Sequence, residues 1–152
     1  GEIGHIHVED EEKEACGCGN FGCLEEYASA TGITRLANRA LAASDKESVL
    51  RNGEVSAKAV FDAVKAGDAL AIEVAEKFGE YLGKGLGIVA GVIDPEIFVI
   101  GGGVSKAGDI LFKYIRPSYE KTVFHACKET PFALATLGND AGIYGAARMI
   151  LD

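Results

Sequence analysis

The chain has 152 residues, 48% hydrophobic and 25% charged, the balance of a globular protein long enough to bury a core. Its 23 acidic side chains outnumber 15 basic ones, for a net charge of −8, which argues against nucleic-acid binding by this segment because phosphates call for clustered cations. No signal-peptide pattern or membrane-length apolar run is present, so a cytoplasmic protein that does not enter the membrane is expected.

The chain opens on Gly1 in what reads as a strand in progress, which suggests part of a longer polypeptide. Ile3 to Val8 alternates in the manner of a strand. The acidic run EDEEKE, Glu9 to Glu14, then reads as a solvated loop. The segment ACGCGNFGCLEEY follows, with three cysteines spaced C-x-C-x4-C.

From Glu25 the pattern is helical, with two short helices meeting near Thr31 and Gly32. A polar loop over Ser44 to Val55 precedes a helix from about Ser56 to Lys65, which Gly67 ends. Asp68 is the expected N-cap of the longest helix, running to about Ile93 and stopped by Asp94-Pro95. Gly79, Gly83, Gly87 and Gly91 recur every four residues on this helix. A stripe without side chains costs about 1 kcal/mol per glycine against alanine, so the expected compensation is close approach of another backbone.

Ile97 to Ile100 is a short strand opening into Gly101, Gly102 and Gly103. A helix from about Lys106 to Tyr119, a strand within Phe132 to Leu137 and a last helix over Asp140 to Leu151 complete the chain. Asn139 or Asp140 should cap that last helix, with Gly142 and Gly145 serving its packing. Strands separated by helices imply an α/β architecture with parallel pairing.

Clustered cysteines in a cytosolic chain point to metal more readily than to a disulfide. A structural zinc takes four tetrahedral ligands, so Cys16, Cys18 and Cys23 need one more. His5, His7 and Cys127 are the candidates, and spacing does not separate His5 from His7. The bland alternative is a set of buried free thiols. Four protein ligands leave no open position for water, so such a metal would hold geometry and not perform chemistry. It would staple the strand bearing Glu2 and His5 to the loop bearing Glu25, gathering polar groups suited to hydroxyls; taken alone, Glu25 could equally be a helix N-terminal charge.

The stretches GEIGHIHV (1–8), CGCGNFGCLEEYAS (16–29), FVIGGGVS (98–105) and LGNDAGIYGAA (137–147) resemble the ROK family of repressors and sugar kinases. They occur in that family's order, and the likeness covers essentially the whole chain, most nearly the C-terminal part of its bacterial glucokinases. The resemblance implies an actin-like, ribonuclease-H-like α/β fold. It implies a structural zinc held by His5, Cys16, Cys18 and Cys23, with Glu2, His5 and Glu25 contacting the sugar. Gly101, Gly102 and Gly103 would lie near the adenosine end of ATP. On this reading residues 1–29 carry sugar and zinc motifs, 30–93 a helical region, and 94–152 the adenosine-side layer.

The resemblance also implies ATP with magnesium, glucose as substrate and a homodimer. The family's DxGGT-like phosphate loop, its second glycine-rich loop and its catalytic aspartate match nothing in these residues, so no catalytic base is assigned and the chain alone is expected to be inactive. Alternatives are the sugar-sensing region of a ROK repressor, or a kinase for fructose, mannose or N-acetylmannosamine.

Overall fold

Apolar spacing and capping set most of the helices. In a computed structural model, which describes residues 1–151 with the side chain of Asn139 excepted, the chain forms α1 (Glu25–Ala28), α2 (Ala30–Ala43), α3 (Ala57–Lys65), α4 (Ala69–Ile93), β1 (Phe98–Ile100), α5 (Ile110–Thr122), β2 (Phe132–Leu134) and α6 (Ala141–Leu151). Ser29, Ser56 and Asp68 each accept a backbone N–H at the start of α2, α3 and α4, satisfying a donor that the helix leaves unpaired. Asp94 ends α4 in the left-handed region, with φ 44°. Arg51 closes α2 from outside, its guanidinium donating to the carbonyls of Leu41, Ser44 and Lys46.

The glycine stripe of α4 meets the backbone of α5. A Cβ on Gly79 would lie 2.1 Å from the Tyr114 carbonyl oxygen, and one on Gly83 would lie 2.6 Å from the Tyr119 nitrogen. The stripe stops short of its end, since a Cβ on Gly91 would meet nothing within 4 Å. Behind this contact lies the main core, where Phe61, Val60, Leu70, Phe78, Leu111, Ile115 and Tyr119 are buried. β1 and β2 pair in parallel, Phe98 opposite Phe132 and Ile100 opposite Leu134, as the strand–helix–strand order implied.

Four expectations change. Ile3 to Val8 is not a strand: Ile3–His5 forms a single 3₁₀ turn, and only His7 bridges, antiparallel to Cys23. The turn swings His5 inward, which a strand's fixed alternation would not permit beside His7. The helix expected from Lys106 is two elements, a 3₁₀ turn Val104–Ala107 and α5, separated at Gly108 with φ 85°. The acidic run is not simply solvated, because the Glu12 side chain is only 3% exposed. A Cβ on Gly142 or Gly145 would meet nothing within 4 Å beyond its own helix, and α6 buries none of its described residues. The expected cap at Asn139 lies outside the described side chains. Among the described residues no helix is long and apolar enough to cross a membrane.

Candidate functional site

Residues 6–24 form a hairpin-like excursion whose ends are tied before the cysteines appear. Val8 N–H donates to the Gly22 carbonyl at 2.8 Å, and Leu24 N–H to the Ile6 carbonyl at 3.0 Å. At the tip, Cys16 N–H donates to the Asn20 carbonyl and Gly19 N–H to the Cys16 carbonyl, folding Cys16 and Cys18 back toward Cys23. Gly22 permits the closure: its φ is 67°, and a Cβ there would sit 2.0 Å from the Glu9 carbonyl oxygen.

This closure brings His5, Cys16, Cys18 and Cys23 together, their ligand atoms all within 4.8 Å of one another. Cys18 and Cys23 sulfurs stand 3.6 Å apart, and Cys16 Sγ lies 3.7 Å from His5 Nδ1. A tetrahedron with zinc bonds of about 2.0–2.3 Å has edges of about 3.3–3.8 Å, so both spacings suit that ion. Burial pushes the Cys23 thiol up to about 12, and its neighbouring thiols add to the effect. A hydrogen bond from the Asn20 backbone instead holds Cys18 below its usual value. Thiols crowded together in this way are groups whose deprotonated forms a bound cation would stabilise. No disulfide forms among the four cysteines.

The other candidate ligands go elsewhere. His7 Nε2 is 2.8 Å from Asp10 Oδ1, and His7 Nδ1 is 3.0 Å from the Phe21 carbonyl, so it braces the hairpin. Cys127 is buried far along the chain, its thiol 3.4 Å from Asp94 Oδ1.

Glu25 opens α1 on the rim of the cluster. Its Oε2 lies 3.7 Å from Cys16 Sγ and 3.9 Å from His5 Nδ1, and its Cβ would stand 3.5 Å from a Cβ on Gly4. Its side chain remains 48% exposed, open to a ligand. His5 turns Nδ1 toward the sulfurs, leaving Nε2 for another partner. Glu2 is exposed at the head of the same turn, its carbonyl accepting from His5 N–H.

Gly101, Gly102 and Gly103 follow β1, with Gly102 at φ 74° and its carbonyl accepting from Ser105 Oγ. They line a cleft of about 610 Å³ that also takes in Ile3, Ala28, Ser29 and Ala30. The glycine turn and the segment bearing Glu2 and Glu25 thus border one concavity, while the glycines themselves hold no polar side chain toward it.

Sequence reasoning missed the support beneath the cluster. Glu12 accepts from Tyr27 Oη at 2.6 Å and from both terminal nitrogens of Arg39 at 2.9 and 3.0 Å, with Arg35 Nη2 at 2.8 Å. Glu9 accepts from Tyr81 Oη at 2.6 Å, and Lys84 Nζ donates to the Val8 carbonyl. Burial, reinforced by Glu12, pushes the Tyr27 hydroxyl up to about 12. The only signal in the sequence was Arg35 and Arg39 one helical turn apart, a spacing that salt-bridge patterns share with ordinary helix surfaces.

Comparison with known proteins agrees with the geometry. The ROK family model matches residues 1–152. A glucokinase of Halalkalibacterium halodurans is 44% identical over 99% of the chain and 47% of its own length. The transcriptional repressor Mlc of Escherichia coli is 32% identical over 99% of the chain and 37% of its own. The structure superposes on a ROK family glucokinase from Streptomyces griseus in complex with glucose and AMPPNP, with TM-score 0.85, 31% identity and coverage of 97% of this chain and 50% of that one. The chain therefore spans about half the length of the glucokinases it matches, and its fold is the C-terminal portion of an actin-like α/β architecture.

Proposed function

The chain belongs to the ROK family, and on that premise we propose that it is the sugar-recognising part of an ATP-dependent glucokinase. The complete enzyme would move the γ-phosphoryl group of MgATP to a hydroxyl of glucose, O6 being the primary one. Glu2, His5 and Glu25 would orient the sugar. Their carboxylates accept from hydroxyls and the free imidazole nitrogen can donate or accept, so the three select a pattern of O–H groups and hold it in place. Gly101, Gly102 and Gly103 would border the adenosine end of the nucleotide.

The observation that carries this reading is the position of Glu25, half exposed on the rim of the His5–Cys16–Cys18–Cys23 cluster. Those four residues would hold a zinc ion, which when bound supplies a rigid cross-link and no open site. Residues 1–29 then form the sugar and metal unit, 30–93 its helical support, and 94–152 the adenosine-side layer. The phosphate loops and the base that takes the hydroxyl proton would come from polypeptide outside these residues. Such an enzyme is expected in the cytoplasm, as a dimer.

The test uses the full-length enzyme. Glu25→Ala should raise KM for glucose by about 10- to 100-fold, the worth of one or two hydrogen bonds to a charged acceptor, and leave KM for ATP within about twofold. A defect confined to ATP would overturn the assignment.

A second reading, the sugar-sensing region of a ROK repressor, is favoured by the similarity to Mlc over nearly the whole chain. Phosphoryl transfer by the full-length protein separates the two. Glu2 and Glu25 address hydroxyls common to several hexoses, so fructose, mannose and N-acetylmannosamine belong in the same assay.

A further inference from the structure

We propose that Arg35 is a positioning residue that locks the sugar-facing Glu25 to the metal-binding loop, an inference that rests on Glu25 being a sugar ligand. α1 has four residues, Glu25–Ala28. A single turn fixes several dihedrals for very few hydrogen bonds and does not hold itself, so the aim of Glu25 must come from tertiary anchors.

One guanidinium reaches both sides of the problem. Arg35 Nη2 lies 2.8 Å from Glu12 Oε2 and 3.0 Å from Glu14 Oε2, on the arm that leads directly into Cys16. Arg35 Nη1 donates to the Glu26 carbonyl at 3.5 Å, and Nε stands 3.6 Å from Glu26 Oε2, within the turn that Glu25 begins. Its Cζ lies 5.6 Å from the centre of the Tyr27 ring, whose hydroxyl donates back to Glu12. Cys16 and Glu25 are thereby referred to one planar group, and Cys16 Sγ and Glu25 Oε2 end 3.7 Å apart.

A bound cation would tie His5 to the three sulfurs but would touch neither the acidic arm nor α1 beyond Cys23. Arg35 supplies that link together with the Tyr27 hydroxyl, and among the described residues it alone reaches Glu14 and the Glu26 carbonyl as well as Glu12. Its side chain is 17% exposed, so these contacts compete little with water. The function depends on the fork: an ammonium is a point donor and cannot hold the arm and the Glu26 carbonyl together.

The experiment compares Arg35→Lys, Glu25→Ala and the double variant in full-length enzyme, reading KM for glucose and ATP, zinc content and Tm. Arg35→Lys should raise KM for glucose by about 5- to 20-fold, as loss of one oriented hydrogen bond would, with zinc and KM for ATP unchanged. In the Glu25→Ala background it should add less than about twofold, because there is no longer a carboxylate to aim. A purely structural arginine would add its full effect in both backgrounds, and that result overturns the proposal. A normal defect in Glu25→Ala with a silent Arg35→Lys overturns the positioning role alone. A silent Glu25→Ala removes the sugar-ligand reading and the proposal with it. If Arg35→Lys yields no soluble enzyme, Glu14→Gln carries the same cycle with an expected rise of about threefold, and full additivity with Glu25→Ala again overturns it.

Discussion

The rings of Tyr27 and Tyr81 stack with centroids 4.0 Å apart, and their hydroxyls donate to two different glutamates of one acidic run, Glu12 and Glu9. α1 and α4 thus grip the same loop through one aromatic pair. Beneath it, Val8, Leu24 and Tyr27 form a small second core, with Ile6, Leu36 and Leu82 packed around it. The cysteine-bearing tip therefore stands on an apolar base with a polar frame.

Removing one hydroxyl should cost little, and removing the ring should cost much. Tyr27→Phe keeps the stack and leaves Glu12 with its two arginines, so denaturant unfolding should show a loss of about 1–2 kcal/mol. Tyr27→Ala opens a cavity at a residue 1% exposed and should cost about 3–5 kcal/mol. Equal losses for the two variants would show that the hydroxyl, not the ring, holds the loop.

Acid should loosen this frame. The hydrogen bond from Arg39, joined by Tyr27 and Arg35, holds the Glu12 carboxyl well below its usual value of 4.5. A carboxyl with a depressed folded pKa stabilises the protein fully above its unfolded value and loses that contribution as pH falls toward the folded one. Melting curves should thus show stability declining as pH drops below about 4.5, with Glu12→Gln flattening the decline. An unchanged slope in Glu12→Gln would assign the acid sensitivity to other groups.

The glycine stripe of α4 should split by position. Gly83→Ala gains about 1 kcal/mol of helix propensity but drives its Cβ to within 2.6 Å of the Tyr119 nitrogen, so a net loss of at least about 2 kcal/mol is expected. Gly91→Ala meets nothing within 4 Å and should stabilise by about 0.5–1 kcal/mol. Thermal melts of the two variants should therefore move in opposite directions. Matching shifts would mean that α5 gives way to the added methyl.

Purified under reducing conditions, the chain should carry about one zinc per molecule. Cys23→Ser should abolish retention of the metal, and Cys127→Ser should leave it intact, since Cys127 lies against Asp94 and away from the cluster. Chelation should lower Tm of the unmodified protein. Metal-free protein with an unaltered melt would mean that the four groups are simply packed thiols and an imidazole.

Several elements were legible from local pattern alone. Asp68 and Asp94-Pro95 bracket α4 because capping and proline sterics act within a few residues, and the four-residue glycine period foretold a close helix partner without naming α5. The strand expected at Ile3 to Val8 failed for a related reason. Alternation over six residues is weak against a tertiary demand, here the inward turn of His5 toward three sulfurs. The one helix expected between Lys106 and Tyr119 likewise divides into two elements at Gly108, whose positive φ has no signature beyond the glycine itself.

Local chemistry in the sequence determined that three cysteines on a glycine-rich loop would converge, since glycine opens the backbone and thiols share a cation well. It could not choose between His5 and His7, two residues apart, because only the path of the chain decides which imidazole turns inward. Nor could it show Glu12 as a buried carboxylate. That outcome depends on Arg35, Arg39 and Tyr27, 15 to 27 residues away, arriving together to offset the cost of taking a charge out of water. Short-range sterics are written residue by residue, whereas burial of charge is settled only when distant partners meet.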